Sequence, residues 1–111
     1  LLRMSWLFDL FAGRTFGAAR SPKWSAVRKS FLALHRRCTA CGTVGSFLKP
    51  NEVHHILPFH EKPELELTPS NLITLCRRCH LLLGHLGSFK SFNVAVQHDA
   101  SALYQKIKNR P

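Results

Sequence analysis

Four cysteines and three histidines carry the chemistry of this chain: Cys38-x-x-Cys41, the pair His54-His55, and Cys76-x-x-Cys79 running directly into His80. Each Cys-x-x-Cys bends sharply enough to aim two sulfurs at one point. The two knuckles, 34 residues apart, can therefore surround one zinc ion tetrahedrally. A four-cysteine site is coordinatively closed and needs no histidine. His54, His55 and His80, with Asn71 between them, are left for another task, and imidazoles grouped in this way suit a second metal or a proton transfer. The reading is a structural zinc site wrapped around a second, catalytic metal site. Two disulfides are the alternative use of the cysteines, less suited to a chain without a convincing secretion signal.

Stepping outward, elements must hold these residues in place. Ser21-Pro22 opens a helix on whose one face Trp24, Val27, Phe31 and Leu34 recur, while Lys23, Arg28 and Lys29 occupy the other. The first knuckle follows, with Gly42 suited to the positive φ of such a turn. Ser46–Lys49, Pro50-Asn51 and Glu52–Ile56 read as strand, turn and strand, the histidine pair closing the second strand. Three prolines and three glutamates make 57–70 an ordered loop, and Leu72–Leu75 is a buried strand. A helix is expected from Arg77 or Arg78 to about Leu83, stopped by Gly84. Asp99 is expected to cap a last helix that packs Leu103, Tyr104 and Ile107. His85 lies five residues after His80, about 140° round an ideal helix, so it joins the ligands only if the helix breaks at Gly84.

At 111 residues the chain has room for one domain whose modest core a structural metal would reinforce. Residues 21–111 form that domain, and 1–20 an N-terminal extension that is both apolar and basic. Sixteen Lys and Arg against six Asp and Glu give a formal charge of +10, better suited to a polyanionic partner than to a cationic one. Eight of those cations precede Cys38. Lys23, Arg28, Lys29, Arg36, Arg37, Arg77 and Arg78 are the candidate phosphate contacts, so affinity for nucleic acid should fall steeply with salt. The apolar stretch Met4–Ala12 is interrupted by Asp9 and too short to span a bilayer; no transmembrane segment is expected. Trp6, Phe8 and Phe11 pack on the domain's own core in one reading, and contact a protein partner or a membrane surface in the other.

Val53-His54-His55-Ile56-Leu57-Pro58, then Asn71-Leu72-Ile73-Thr74-Leu75-Cys76, then Arg77-Arg78-Cys79-His80 closely resembles the HNH motif of the His-Me finger, or ββα-metal, endonucleases. The resemblance runs from Cys38 to His80, and the Trp24-x-x-x-Arg28 helix before it is similar to that of small phage and bacterial members. It implies an α+β fold: a ββα-metal core with the four-cysteine zinc site and flanking helices. It further implies His55 as general base, His54 and His80 as ligands of a divalent cation, Asn71 as the middle motif residue, and hydrolysis of DNA leaving 5′-phosphate and 3′-hydroxyl ends. His85 is a candidate third ligand.

Simpler readings stand beside these. His54 or His55 could be an ordinary strand histidine, Asn71 a turn residue, and His80 a group supporting the zinc site. As a whole the chain could be a non-catalytic, zinc-stabilised DNA-binding or adaptor domain, but that reading gives no reason for a base beside a ligand. The expected cofactors are a structural zinc ion and one catalytic divalent cation, Mg2+, Mn2+, Ni2+ or Zn2+. The expected setting is the cytoplasm of a bacterial or phage-infected cell. Sequence preference is not legible.

Overall fold

The computed structural model describes residues 19–110; the expected role of Trp6, Phe8 and Phe11 lies outside them. Helix α1 (Trp24–Leu34) starts as expected, with the Ser21 carbonyl accepting from Trp24 N–H at 3.1 Å and the Ser21 hydroxyl accepting from Lys23 N–H at 3.0 Å. Its apolar stripe is shallower than the periodicity implies. Trp24, Val27 and Phe31 are half-buried, Leu34 is 80% exposed, and no residue of α1 is fully buried. The helix ends just before the first knuckle, so its last turn overhangs the domain.

Two short strands carry the site. β1 (Glu52–His55) pairs antiparallel with β2 (Leu72–Leu75), with Glu52 opposite Leu75 and His55 opposite Leu72. The expected strand Ser46–Lys49 is instead a tight turn, closed by Ser46 N–H to the Lys49 carbonyl at 3.1 Å and Lys49 N–H to the Ser46 hydroxyl at 3.1 Å. Local hydroxyl chemistry competes here with strand pairing, and β1 finds its partner across the long loop. That loop is held by single 3-10 turns at Pro63–Leu65 and Pro69–Asn71, each begun by the proline's fixed φ.

All four residues of β2 are buried, and the chain leaves it into α2 (Arg77–Cys79), which continues as a π-helical turn over His80–Gly84. The closing helix α3 (Val96–Lys108) begins three residues before Asp99. Asn93, not Asp99, opens it: its Oδ1 accepts from Ala95 N–H at 3.0 Å while its Nδ2 donates to Asp99 Oδ2 at 2.8 Å. Leu103 and Tyr104 pack partly, but Ile107 is 40% exposed.

The core is small: Ile73 and Leu75 of β2, Val96 and Ala100 of α3, Ala40, and two of the four cysteines, Cys38 and Cys79. Thr74 ties the first knuckle to β2, its hydroxyl donating to the His35 carbonyl at 2.7 Å and its own carbonyl accepting from Thr39 N–H at 2.9 Å. Gly42, at φ 79°, closes the knuckle as the sequence requires. The result is an α+β domain organised around its cysteines. Among the described residues, no helix is long and apolar enough to cross a membrane.

Candidate metal centre and histidine cleft

The two knuckles bring Cys38, Cys41, Cys76 and Cys79 together, one sulfur from each within 4.8 Å of the others. All four are free thiols, and Cys41 and Cys76 sulfurs lie 3.8 Å apart. Burial, then the neighbouring Cys38 sulfur, pushes the Cys79 thiol far up, whereas hydrogen bonds from Thr43 outweigh burial at Cys41 and bring it down to about 7. Thiolates this close repel one another, and a central cation removes the repulsion. The cluster fits a structural metal ion.

A second group forms from His54, His80 and His85, again with one ring nitrogen from each within 4.8 Å of the others. Their ring centroids stand 4.8 to 4.9 Å apart, a near-equilateral triangle. His54 arrives from β1, and the other two from the helix that follows the second knuckle. The five-residue spacing that argued against His85 is answered by the π turn, in which His85 N–H reaches back five residues to the His80 carbonyl at 3.1 Å. The wider turn returns His85 to the face of His80.

Hydrogen bonds define which nitrogens are free. His80 Nδ1–H donates to Glu52 Oε1 at 2.8 Å, and His85 Nδ1–H donates to the Ser91 carbonyl at 2.7 Å. In neutral rings their Nε2 atoms, 3.1 Å apart, then both carry lone pairs. His54 Nε2 is buried and has no hydrogen-bond partner among the described residues. Burial, reinforced by the other histidines, lowers the pKa of His54 to about 3, so it does not solve the problem by protonating. Converging lone pairs on neutral imidazoles, backed by a carboxylate and a carbonyl, are the donor set of a divalent cation. These residues fit one.

His55, next in sequence, points elsewhere. Its Nε2–H donates to the Glu66 carbonyl at 2.9 Å and its ring lies 4.5 Å from that of Trp24, leaving Nδ1 as the basic nitrogen. Burial lowers its pKa despite the opposing carbonyl bond. Asn71 makes the clamp across the loop: Oδ1 accepts from Leu57 N–H at 2.9 Å, and Nδ2 donates to the Leu57 carbonyl at 3.0 Å. Its own carbonyl accepts from Ile56 N–H at 2.8 Å. Asn71 is buried and touches the segment just beyond His55 on both sides.

His54, His55, His80 and His85 line one cleft of about 460 Å3. Of the seven cations expected to meet phosphate, only Arg28 lines it; Lys23, Lys29, Arg36, Arg37, Arg77 and Arg78 are exposed elsewhere. Arg77 is taken by Glu52 at 3.1 Å, and Arg37 Nη1 donates to the Gly42 carbonyl at 3.0 Å. The cleft's other cations, Arg20 and Lys90, were missed for want of a motif around them. So were Glu52, behind His80, and the buried Glu66, whose carboxylate accepts from Ser21 N–H at 3.0 Å. Two-residue alternation in β1 could have flagged Glu52 as sharing the face of His54.

Fold and site together define a small α+β domain in which a four-cysteine cluster lies beside a cleft whose grouped histidines could hold a metal ion. A protein-family model described as HNH endonuclease matches residues 38–85. The match begins at Cys38, the first cysteine of the cluster, and ends at His85, the last of the three grouped histidines. No match to a curated protein or to a solved structure was found.

Proposed function

We propose that the chain is a metal-dependent endonuclease that hydrolyses DNA phosphodiester bonds, with zinc in the cysteine site and a divalent cation held by His54, His80 and His85. The observation that carries this reading is the division of labour among adjacent histidines. Three bring ring nitrogens close to one another, while His55, tied by Nε2, lines the same cleft. A cation bound at the three histidines supplies charge neutralisation for the scissile phosphate and the departing sugar oxygen. His55 Nδ1 takes a proton from the attacking water, the Glu66 carbonyl stabilising the imidazolium that results. Asn71 does no proton chemistry; it fixes the chain just after the base. Arg20, Arg28 and Lys90 draw the phosphate backbone into the cleft. Cleavage in this chemistry leaves 5′-phosphate and 3′-hydroxyl ends.

The test is nicking of supercoiled plasmid by zinc-loaded protein with Mg2+, Mn2+ or Ni2+, wild type against His55→Ala. A loss of about 10²- to 10⁴-fold in the variant, with its fold and DNA affinity retained, is the expected result. Binding without cutting by the wild type in every metal would leave a DNA-binding domain; equal cutting by both would remove His55 from the mechanism.

A further inference from the structure

The turn Ser46–Lys49 presents two consecutive large apolar side chains at its tip, Phe47 at 97% and Leu48 at 86% exposure. Single exposed leucines need no explanation, but an aromatic and a leucine side by side at a protruding tip do. The tip is firmly built. Its turn is closed by two hydrogen bonds between Ser46 and Lys49, and its base by the buried Asn51, whose Nδ2 donates to the Arg36 carbonyl at 2.9 Å and the Thr43 carbonyl at 2.8 Å. Lys49, Arg36 and Arg37, all exposed, flank it.

The tip also has a place relative to the cleft. Arg28 and Trp24 of α1 line the histidine cleft; Leu32, one turn further along the helix, lines a second hollow together with Arg36 and Ser46. Arg28 and Leu32 are about 6 Å apart along the helix axis, roughly two base steps of a duplex. A DNA backbone following α1 out of the cleft meets Arg36 and then the apolar tip.

We propose that the Ser46–Lys49 turn is a wedge for duplex DNA: Phe47 and Leu48 enter the minor groove beside the cut site and part a base step, while Arg36, Arg37 and Lys49 hold the flanking phosphates. Apolar side chains between cations are how proteins kink DNA through its minor groove, unstacking bases to gain contact. The basic flank favours a polyanion over an apolar protein face. This inference rests on DNA being the substrate of the cleft.

The experiment uses the full chain with its structural zinc and no added catalytic divalent, comparing wild type with the double variant Phe47→Ala/Leu48→Ala. Binding is read by anisotropy, and unstacking by the fluorescence of 2-aminopurine placed along the duplex. Wild type should brighten the probe at one region, and the variant should lose that signal together with about 5- to 150-fold in affinity. Because both side chains are exposed, the variant's melting temperature should not change. The wedge is overturned by unchanged affinity and signal in the variant, or by wild-type binding with no brightening. It is equally overturned if the double variant abolishes self-association or binding to anionic vesicles while DNA affinity stays the same. When Mg2+, Mn2+ or Ni2+ is then added, wild type that nicks plasmid while the variant binds and nicks identically sinks the wedge alone; wild type that neither binds nor nicks DNA removes the nuclease reading beneath it.

Discussion

Four of the five histidines in residues 54–85, namely His54, His55, His80 and His85, are chemically identical in the sequence and are made different by what their ring nitrogens touch. Glu52 and the Ser91 carbonyl hold the Nδ1 atoms of His80 and His85, and the Glu66 carbonyl holds His55 Nε2, which suits the first two to the proposed ligand role and His55 to that of the proposed base. His54, His55 and His80 were singled out by their spacing with Asn71 and the knuckles, whereas spacing argued against His85. Their partners were not legible, because two of the three are backbone carbonyls, which no residue type announces. The role of His55 carries a pH signature. Burial depresses its pKa below the ordinary 6.5, so the neutral, proton-accepting form persists as pH falls through 6.5 and is lost only below it. The pH–rate profile of nicking at saturating metal should therefore keep its plateau down to about pH 6.5 and fall on the acid side. An acid limb with its midpoint at or above 6.5 would count against His55 as the base.

Elements decide which of these residues can meet. The π turn over His80–Gly84 adds one residue to a helical turn, and that single residue moves His85 from the wrong side of the helix into the cleft. Periodicity reasoning cannot foresee it, since it assumes 3.6 residues per turn. The same reasoning overrates Leu34, which has the right phase but lies past the end of the packed surface, and Asp99, a good capping residue that Asn93 pre-empts. At Gly84 the turn widens instead of breaking, and glycine is suited to the position for a reason outside the helix. A Cβ there would lie 3.0 Å from the His54 ring, so glycine is what lets β1 press its histidine against the turn. Gly84→Ala should push the ring out of register and weaken divalent binding at the histidines by about 10-fold or more. The cysteine site should stay filled. Titration calorimetry with Mn2+ or Ni2+ after zinc loading checks this, and unaltered affinity would mean that the ring gives way at no cost.

For the molecule as a whole, the cysteine cluster stands where a larger protein would have a hydrophobic centre. Cys38 and Cys79 are buried members of the core, and Cys41 and Cys76 pack against it. A domain of this size buries too little apolar surface to spare such a brace. Stripping the structural metal with a strong chelator, thiols kept reduced, should abolish the cooperative thermal transition, and returning zinc should restore it. A metal-free protein that melts cooperatively at the same temperature would show the brace to be dispensable. This much of the architecture was evident in the paired knuckles; the basic surface was not, since charge along the chain says nothing of which cations face the cleft. Arg77 illustrates the difference. It sits within the second knuckle, and instead of meeting solvent alone it pairs with Glu52, the carboxylate that holds His80. Arg77, which lies between Cys76 and Cys79 in sequence, thus reaches His80 through Glu52, so ions held at the two groups would be linked, and linked equilibria are reciprocal. Whatever factor the filled cysteine site adds to the grip of the histidines, an ion on the histidines returns to the cysteines, so that a cell starved of the cleft's cation would also leave those thiols more open to oxidation.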